Sequence, residues 1–279
     1  MKIAVLSGKG GTGKTTLSVN LFSTLKDATL IDTDTEEPNS HLFLKGDVIK
    51  EEPVMKNHPV VDYDKCTFCG KCGDYCNFNA IIPTKSKVLV FEDLCHDCGL
   101  CSLVCQNDAI SFSESSIGTT TTVKLSDTKK YQYGKLNIGE VSGVRIIENL
   151  KDNNKYEDLL IIDCPPGVSC STVAAINNID YAILCAEPTP FGLSDMKMVV
   201  ELLNSEKIPF GVVINKSGIG NDNIYTYLEN NKIELLANIP FTEERAKIYS
   251  NSKLIAEYDP EFRQIMKDIV IKVVGESHV

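Results

Sequence analysis

Short apolar runs separated by stretches of helical periodicity set the rhythm of most of the chain. Residues 2–6 read as a buried strand. Residues 14–25 read as a helix with Leu17, Leu21, Phe22 and Leu25 on one face. A second strand over 28–32 ends in an acidic loop, Asp32-Thr33-Asp34-Thr35-Glu36-Glu37-Pro38-Asn39. The rhythm resumes at 159–163, 181–185, 210–214 and 235–239, again with helical patterns between the runs. Uninterrupted apolar strands alternating with helices predict an α/β fold, a doubly wound and mainly parallel sheet covered on both faces. The threonine-rich stretch 119–123 is expected to be extended. A last helix, 261–274, carries Phe262, Ile265, Met266, Ile269, Val270, Val273 and Val274 on one stripe. Its Arg263, Lys267 and Lys272 are offset by Glu261 and Asp268, so the stripe is expected to pack on a core and not on a membrane.

From about 58 to 114 the apolar rhythm gives way to cysteines. Eight of the chain's 11 cysteines fall in two runs of identical spacing, Cys66-x2-Cys69-x2-Cys72-x3-Cys76 and Cys95-x2-Cys98-x2-Cys101-x3-Cys105. The block repeats at an offset of 29 residues, and Cys76-Asn77-Phe78-Asn79-Ala80-Ile81 echoes Cys105-Gln106-Asn107-Asp108-Ala109-Ile110. An internal duplication with pseudo-two-fold symmetry is expected. The spacing is that of bacterial two-cluster ferredoxins, in which the fourth cysteine of each run ligates the other cube. Cys66, Cys69, Cys72 and Cys105 would then hold one [4Fe–4S] cluster, and Cys95, Cys98, Cys101 and Cys76 the second. Paired zinc knuckles lack a third close cysteine, and nothing at the N-terminus reads as an export signal that would favour disulfides. Asn77 and Gln106 stand where proline usually follows the fourth cysteine, which bears on cluster potential and shielding. The expected organisation is therefore a domain of residues 1–57 and 115–279 with residues 58–114 inserted as a ferredoxin unit.

Composition narrows the function classes. The 279 residues are 43% hydrophobic and 24% charged, ordinary for a globular protein, with no apolar run of membrane-spanning length. The formal charge is −10, and two oxidised cubes at about −2 each would take it to about −14. Such a surface repels nucleic acid, so none is expected as a partner, and no stable membrane insertion is expected. Clusters of this kind persist in a reducing compartment, which makes the expected location cytoplasmic.

Gly8-Lys9-Gly10-Gly11-Thr12-Gly13-Lys14-Thr15 fits G-x-x-x-x-G-K-[ST] between a strand and a helix, followed by Thr16. Glycines let backbone N–H groups close on phosphate oxygens, and the helix N-terminus adds a favourable dipole. Lys14 would neutralise the β- and γ-phosphates of ATP, and Thr15 would hold Mg²⁺.

The additional lysine, Lys9, points further. With Asp163-Cys164-Pro165-Pro166-Gly167 and Glu187-Pro188-Thr189-Pro190-Phe191-Gly192, it makes the chain resemble the deviant-Walker ATPases. These are MinD, ParA, the Mrp-type cluster carriers and the nitrogenase iron protein, and the resemblance covers the chain outside the cysteine block. Within them, the chain looks like the MinD-superfamily group with an inserted ferredoxin. The resemblance implies a homodimer in the ATP state, with Lys9 reaching the partner subunit's nucleotide. It gives Asp34 to the attacking water, Asp163 to the Mg²⁺ second shell, and Asn215 to the adenine edge. Asp32 is expected to support its loop structurally, and the base contact of Ile239-Pro240-Phe241-Thr242 stays open.

Of the other cysteines, Cys185 reads as core. Cys170 sits at the offset from Asp163 where the nitrogenase iron protein has a cluster cysteine. The second cysteine such a bridging cluster needs is missing from 139–144, so no shared cluster is expected. A transient metal-handling role for Cys164 and Cys170 stays open, and His96 is expected to be a spacer. Three functions follow in order of expectation. The first is an ATPase whose dimer closure gates electron delivery to an unidentified metalloprotein or redox client. The second is a scaffold or carrier for cluster assembly. The third is a MinD-like positioning ATPase with a ferredoxin docking module.

Overall fold

The computed structural model of the protein describes residues 1–278. Its first strand, β1 (Lys2–Leu6), shows how a continuous apolar run makes a two-faced sheet. Ile3 and Val5 enter one apolar cluster, and Ala4 and Leu6 enter the other. The chain crosses through α1 (Lys14–Thr24) to β2 (Ala28–Asp32). It then runs outward along β3 (Asp47–Val61) into the cysteine segment. That segment carries α2 (Lys71–Asp74), β4 (Ile81–Pro83), β5 (Val88–Val90) and α3 (Leu100–Leu103). The chain returns along β6 (Ile110–Lys124) and turns into β7 (Lys129–Leu136). Alternation resumes with α4 (Val144–Asn153), β8 (Leu160–Asp163), α5 (Cys170–Ile176) and β9 (Tyr181–Ala186). It continues through α6 (Pro190–Ser205), β10 (Phe210–Ser217), α7 (Asn223–Asn230) and β11 (Leu235–Pro240). Helices α8 (Glu243–Ser250), α9 (Ile255–Tyr258) and α10 (Pro260–Val273) follow.

One nine-stranded sheet has the order β11-β10-β9-β1-β8-β2-β7-β6-β3. The strands from β11 to β7 are parallel, as the apolar runs predict, and β6 and β3 add an antiparallel edge. Helices α1, α9 and α10 cover one face, and α4, α5, α6 and α7 the other. The expected stripe of the last helix lies on the core, with Phe262, Met266, Ile269 and Val270 buried. Helix α1 is buried nearly all round, and its Asn20 accepts the Ala256 N–H at 2.8 Å. It stops at Thr24, one residue short of expectation, because Leu25 is extended.

The antiparallel edge is the feature that the sequence reading lacks. β3 and β6 pair from Asp47 opposite Lys124 to Val61 opposite Ile110. Fifteen residues each at a rise of about 3.3 Å make a ribbon about 50 Å long. Both strands run without a break through positions 57/58 and 114/115. The segment between their outer ends holds all eight cysteines of the two runs, around a small apolar cluster of Ile81, Val88 and Ile110. Among the described residues, no helix is long and apolar enough to cross a membrane.

Candidate nucleotide and cysteine sites

The glycine-rich loop joins β1 to α1 at the carboxyl end of the parallel strands, where open α/β sheets place ligands. Two of its glycines are required by geometry. At Gly8 a Cβ would lie 2.3 Å from the Asp195 carbonyl oxygen of α6. Gly13 has φ +95°, and a Cβ there would lie 2.2 Å from Asn215 Nδ2. That closeness has a use, because Asn215 Nδ2 donates to the Thr12 carbonyl at 2.7 Å. The end of β10 thereby braces the loop. Lys216 braces it too, donating from Nζ to the Gly11 carbonyl at 2.9 Å.

Behind the loop lies a concentration of buried charge. Lys14 Nζ is 3.3 Å from Asp163 Oδ1, which also accepts the Ser18 hydroxyl at 3.0 Å. Asp163 is wholly buried, and its Oδ2 has no hydrogen-bond partner among the described residues. Burial works against the charge of Lys14, but the carboxylates of Asp163, Asp32 and Asp34 outweigh it and hold the ammonium above the ordinary lysine pKa. The carboxyl of Asp32, buried and facing the charge of Asp163, is pushed up to about 7. It accepts the backbone N–H groups of Asp34, Asn39 and Ser40 at 3.0–3.1 Å, which is the loop-supporting role expected of it. Asp34 is half-buried, and desolvation raises its pKa against the pull of Lys14. Thr33 ties the ends of β2 and β8 together, donating its N–H and hydroxyl to the Asp163 carbonyl at 2.9 and 2.8 Å. Lys14, Asp34 and Asp163 are therefore gathered at one place. Ser18, one helical turn after Lys14, joins them; the i, i+4 spacing was the available signal.

Asn215 opens onto a cavity of about 340 Å³, whose walls include Gly13, Thr16, Pro240, Phe241, Arg245 and Tyr249. The loop whose base contact stayed open in the sequence thus lines this cavity. Arg245 holds that wall, pairing with Asp259 at 2.7 Å and Glu261 at 3.0 Å and donating to the Pro240 carbonyl at 3.1 Å. Lys9 lies 3.4 Å from Glu187, which also binds Lys216. The two lysines hold the Glu187 carboxyl below its usual range against the opposing effect of burial.

The eight cysteines line two separate small cavities. One is walled by Cys66, Cys69, Cys72 and Cys105, the other by Cys95, Cys98, Cys101 and Cys76. These are the crossed sets that the spacing implies. The duplication extends to the backbone. Phe68, Gly70 and Asn79 have positive φ, and so do Asp97, Gly99 and Asp108, each 29 residues on. The Asn79 N–H to Cys76 carbonyl bond is repeated from Asp108 to Cys105, both at 3.4 Å. Phe78 stacks on His96 with ring centroids 3.9 Å apart, joining the two repeats. Burial pushes the Cys101 thiol up to about 11 and raises Cys72 and Cys95. Among the described residues, no group of three or more His, Cys, Asp or Glu converges as one metal ion requires. A cube holds its four thiolates apart around a cluster, and four cysteines around a small cavity are the donor set it requires. Cys164 and Cys185 are buried core residues, whereas Cys170, the first residue of α5, is exposed.

The profile of the CobQ/CobB/MinD/ParA nucleotide binding domain matches residues 3–255. An uncharacterized protein of Methanocaldococcus jannaschii is 33% identical over 282 residues, spanning 98% of this chain and 96% of its own. An iron-sulfur cluster carrier protein of Methanococcus maripaludis is 26% identical over 78% of this chain and 60% of its own. The septum site-determining protein MinD of Pyrococcus horikoshii, solved as a complex with Mg-ADP, has the same fold. It superposes with a TM-score of 0.60 at 20% identity, over 98% of this chain and 95% of that one.

Proposed function

The chain belongs to the CobQ/CobB/MinD/ParA nucleotide-binding family of P-loop ATPases, and from that premise we propose an ATPase whose nucleotide state governs an iron–sulfur module. Lys14 would neutralise the β- and γ-phosphates, cradled by the N–H groups of Gly10, Gly11, Thr12, Gly13 and Thr16. Thr15 would ligate Mg²⁺. The unpartnered Oδ2 of buried Asp163 supports a water-mediated contact to that ion. Asp34 would orient the attacking water, and Asn215 would read the adenine edge from the neighbouring cavity. Lys9 would leave Glu187 to reach the second nucleotide of a homodimer.

Residues 58–114 would act as a ferredoxin unit, with Cys66, Cys69, Cys72 and Cys105 holding one [4Fe–4S] cube and Cys95, Cys98, Cys101 and Cys76 the other. Bound there, the cubes would supply one-electron transfer at low potential. The observation that carries this reading is the sorting of eight cysteines into two crossed sets of four. The protein's own part is mechanical. The ribbon of β3 and β6 ties the cysteine segment to the sheet that bears the acidic loop 32–39, which would serve as the nucleotide-sensing switch loop, so dimer closure around ATP would reposition that segment toward a metalloprotein client. Such gating needs a two-state element biased by γ-phosphate contacts.

A direct test is anaerobic reconstitution followed by iron and sulfide analysis and EPR of the reduced protein. Two cubic clusters per chain, together with Mg-dependent ATP hydrolysis, are expected. Zinc in place of iron, or a chain that hydrolyses no ATP, would refute the proposal. A second reading, cluster transfer to another protein, draws on the cluster-carrier relative and on the exposure of Cys170, seven residues after Asp163. It predicts iron that leaves the protein with an acceptor and is retained by Cys170→Ser.

A further inference from the structure

A continuous line of contacts joins the switch loop to one of the two cysteine sites. Thr35, three residues beyond β2, accepts the Leu136 N–H at 2.8 Å. It also presses on the entrance to α4, where a Cβ at Gly143 would lie 1.9 Å from Thr35 Oγ1. Between Leu136 and Gly143 runs a short loop that contains Glu140. Its carboxylate meets Lys56 Nζ at 2.6 Å, with the two side chains only 13% and 6% exposed. Lys56 sits on β3 beside Asn57, whose carbonyl oxygen lies 3.7 Å from Cys95 Sγ. The Asn57 N–H and side-chain amide donate to Asp97 at 2.9 and 3.1 Å. Arg145 of α4 pairs with the same carboxylate. Lys56, Cys95, Asp97, Glu140 and Arg145 share the wall of a cavity of about 450 Å³ between α4 and the second cysteine run.

Among the described residues, the first run shows no corresponding ion pair to a helix that covers the sheet. The residue that corresponds to Asp97 there is Phe68, which packs near Tyr63 with ring centroids 6.2 Å apart. Lys65, beside Cys66, pairs with Asp62 at a well-exposed position.

We infer that Lys56, held by Glu140 beside Cys95, is a positioning residue that reports the state of the switch loop to the site of Cys95, Cys98, Cys101 and Cys76 alone. The inference rests on the reading that these four cysteines hold a cube. A buried cation next to a site that gains negative charge on reduction favours the reduced form. Glu140 cancels much of that charge, because the two groups form a close pair shielded from water. Movement of Thr35 against Gly143 would shift the Glu140 loop and change how much of the Lys56 charge the site experiences. The two cysteine sites would then differ in potential, and only one would respond to nucleotide.

The test uses the full chain reconstituted anaerobically and titrated with dithionite, followed by EPR, with and without Mg²⁺ and a non-hydrolysable ATP analogue. Lys56→Met should lower the potential of one cluster and leave the other unchanged. Glu140→Gln should raise the potential of that same cluster. The double variant removes both charges from the interior together, which avoids leaving either buried alone, and should abolish the nucleotide response. By linkage, it should also make ATP-analogue affinity independent of cluster oxidation state. Potentials unaffected by either single variant, equal shifts in both clusters, or a nucleotide response that survives in the double variant would overturn the relay. A wild-type chain that forms no cubes would instead remove the reading beneath it, so the two failures are distinguishable.

Discussion

Gly13 and Asp32 show how much of the nucleotide site is decided by single residues. At Gly13, a left-handed backbone and the approach of Asn215 exclude any side chain. Gly13→Ala should therefore cost about 1–3 kcal/mol of folding stability in the nucleotide-free protein. It should also weaken nucleotide binding, since the Asn215 contact to Thr12 would be displaced. Urea denaturation and nucleotide titration check both effects, and wild-type values would contradict the geometry. Asp32 makes a prediction in pH. Its folded-state pKa, raised to about 7 by burial and by the charge of Asp163, lies above the unfolded value of 3.8. Folding then favours the protonated form, so this contribution to stability is fully present below about pH 4 and is lost as pH rises through about 7. Chemical denaturation across that range should show the decline in the nucleotide-free wild type. A flat or rising contribution, isolated by comparison with Asp32→Asn, would contradict it.

Among the elements, those with continuous apolar runs were the legible ones. Strands β1, β2, β8 and β9 are buried on both faces, and β10 and the edge strand β11 carry apolar runs of the same kind with exposed or half-buried ends, so their sequences announce them without reference to any partner. Strands β3 and β7 were not legible, and of β6 only the threonine stretch was read as extended. β3 is an edge strand whose first half is exposed, so Lys50, Glu51 and Glu52 break the apolar pattern. Its pairing with β6 spans the whole cysteine segment, and local sequence carries no register signal across that distance. The grouping of the eight cysteines around two cavities was legible because their spacing repeats at a fixed offset. The Lys56–Glu140 pair, with partners 84 residues apart, was not. The cap of α5 is another tertiary contact of this kind. Lys151 of α4 donates from Nζ to the carbonyls of Ala174 at 2.7 Å, Ala175 at 3.0 Å, and Asn177. A cation on these terminal carbonyls complements the helix dipole. Lys151→Met should destabilise the fold by about 1–3 kcal/mol by leaving them without a donor. Hydrogen exchange should show the loss centred on α5, and exchange unchanged there would count against the contact.

For the whole molecule, the central claim is that a nucleotide site and a pair of cysteine sites belong to one mechanical unit. The sheet supplies the physical link. Its parallel part carries the phosphate loop and the acidic loop 32–39, and its antiparallel edge continues, past register shifts at Val48/Lys50 and Val54/Met55, into the cysteine segment. Salt should matter little to the link between them, because the Lys56–Glu140 pair is shielded from solvent. The most direct measurement is the midpoint potential of each reconstituted cluster under anaerobic conditions, with and without Mg-ATP. The account predicts that Mg-ATP shifts one cluster by about 60 mV or more, equivalent to about 1.4 kcal/mol of coupling for one electron. Potentials that stay the same for both clusters in the presence of saturating Mg-ATP would contradict it.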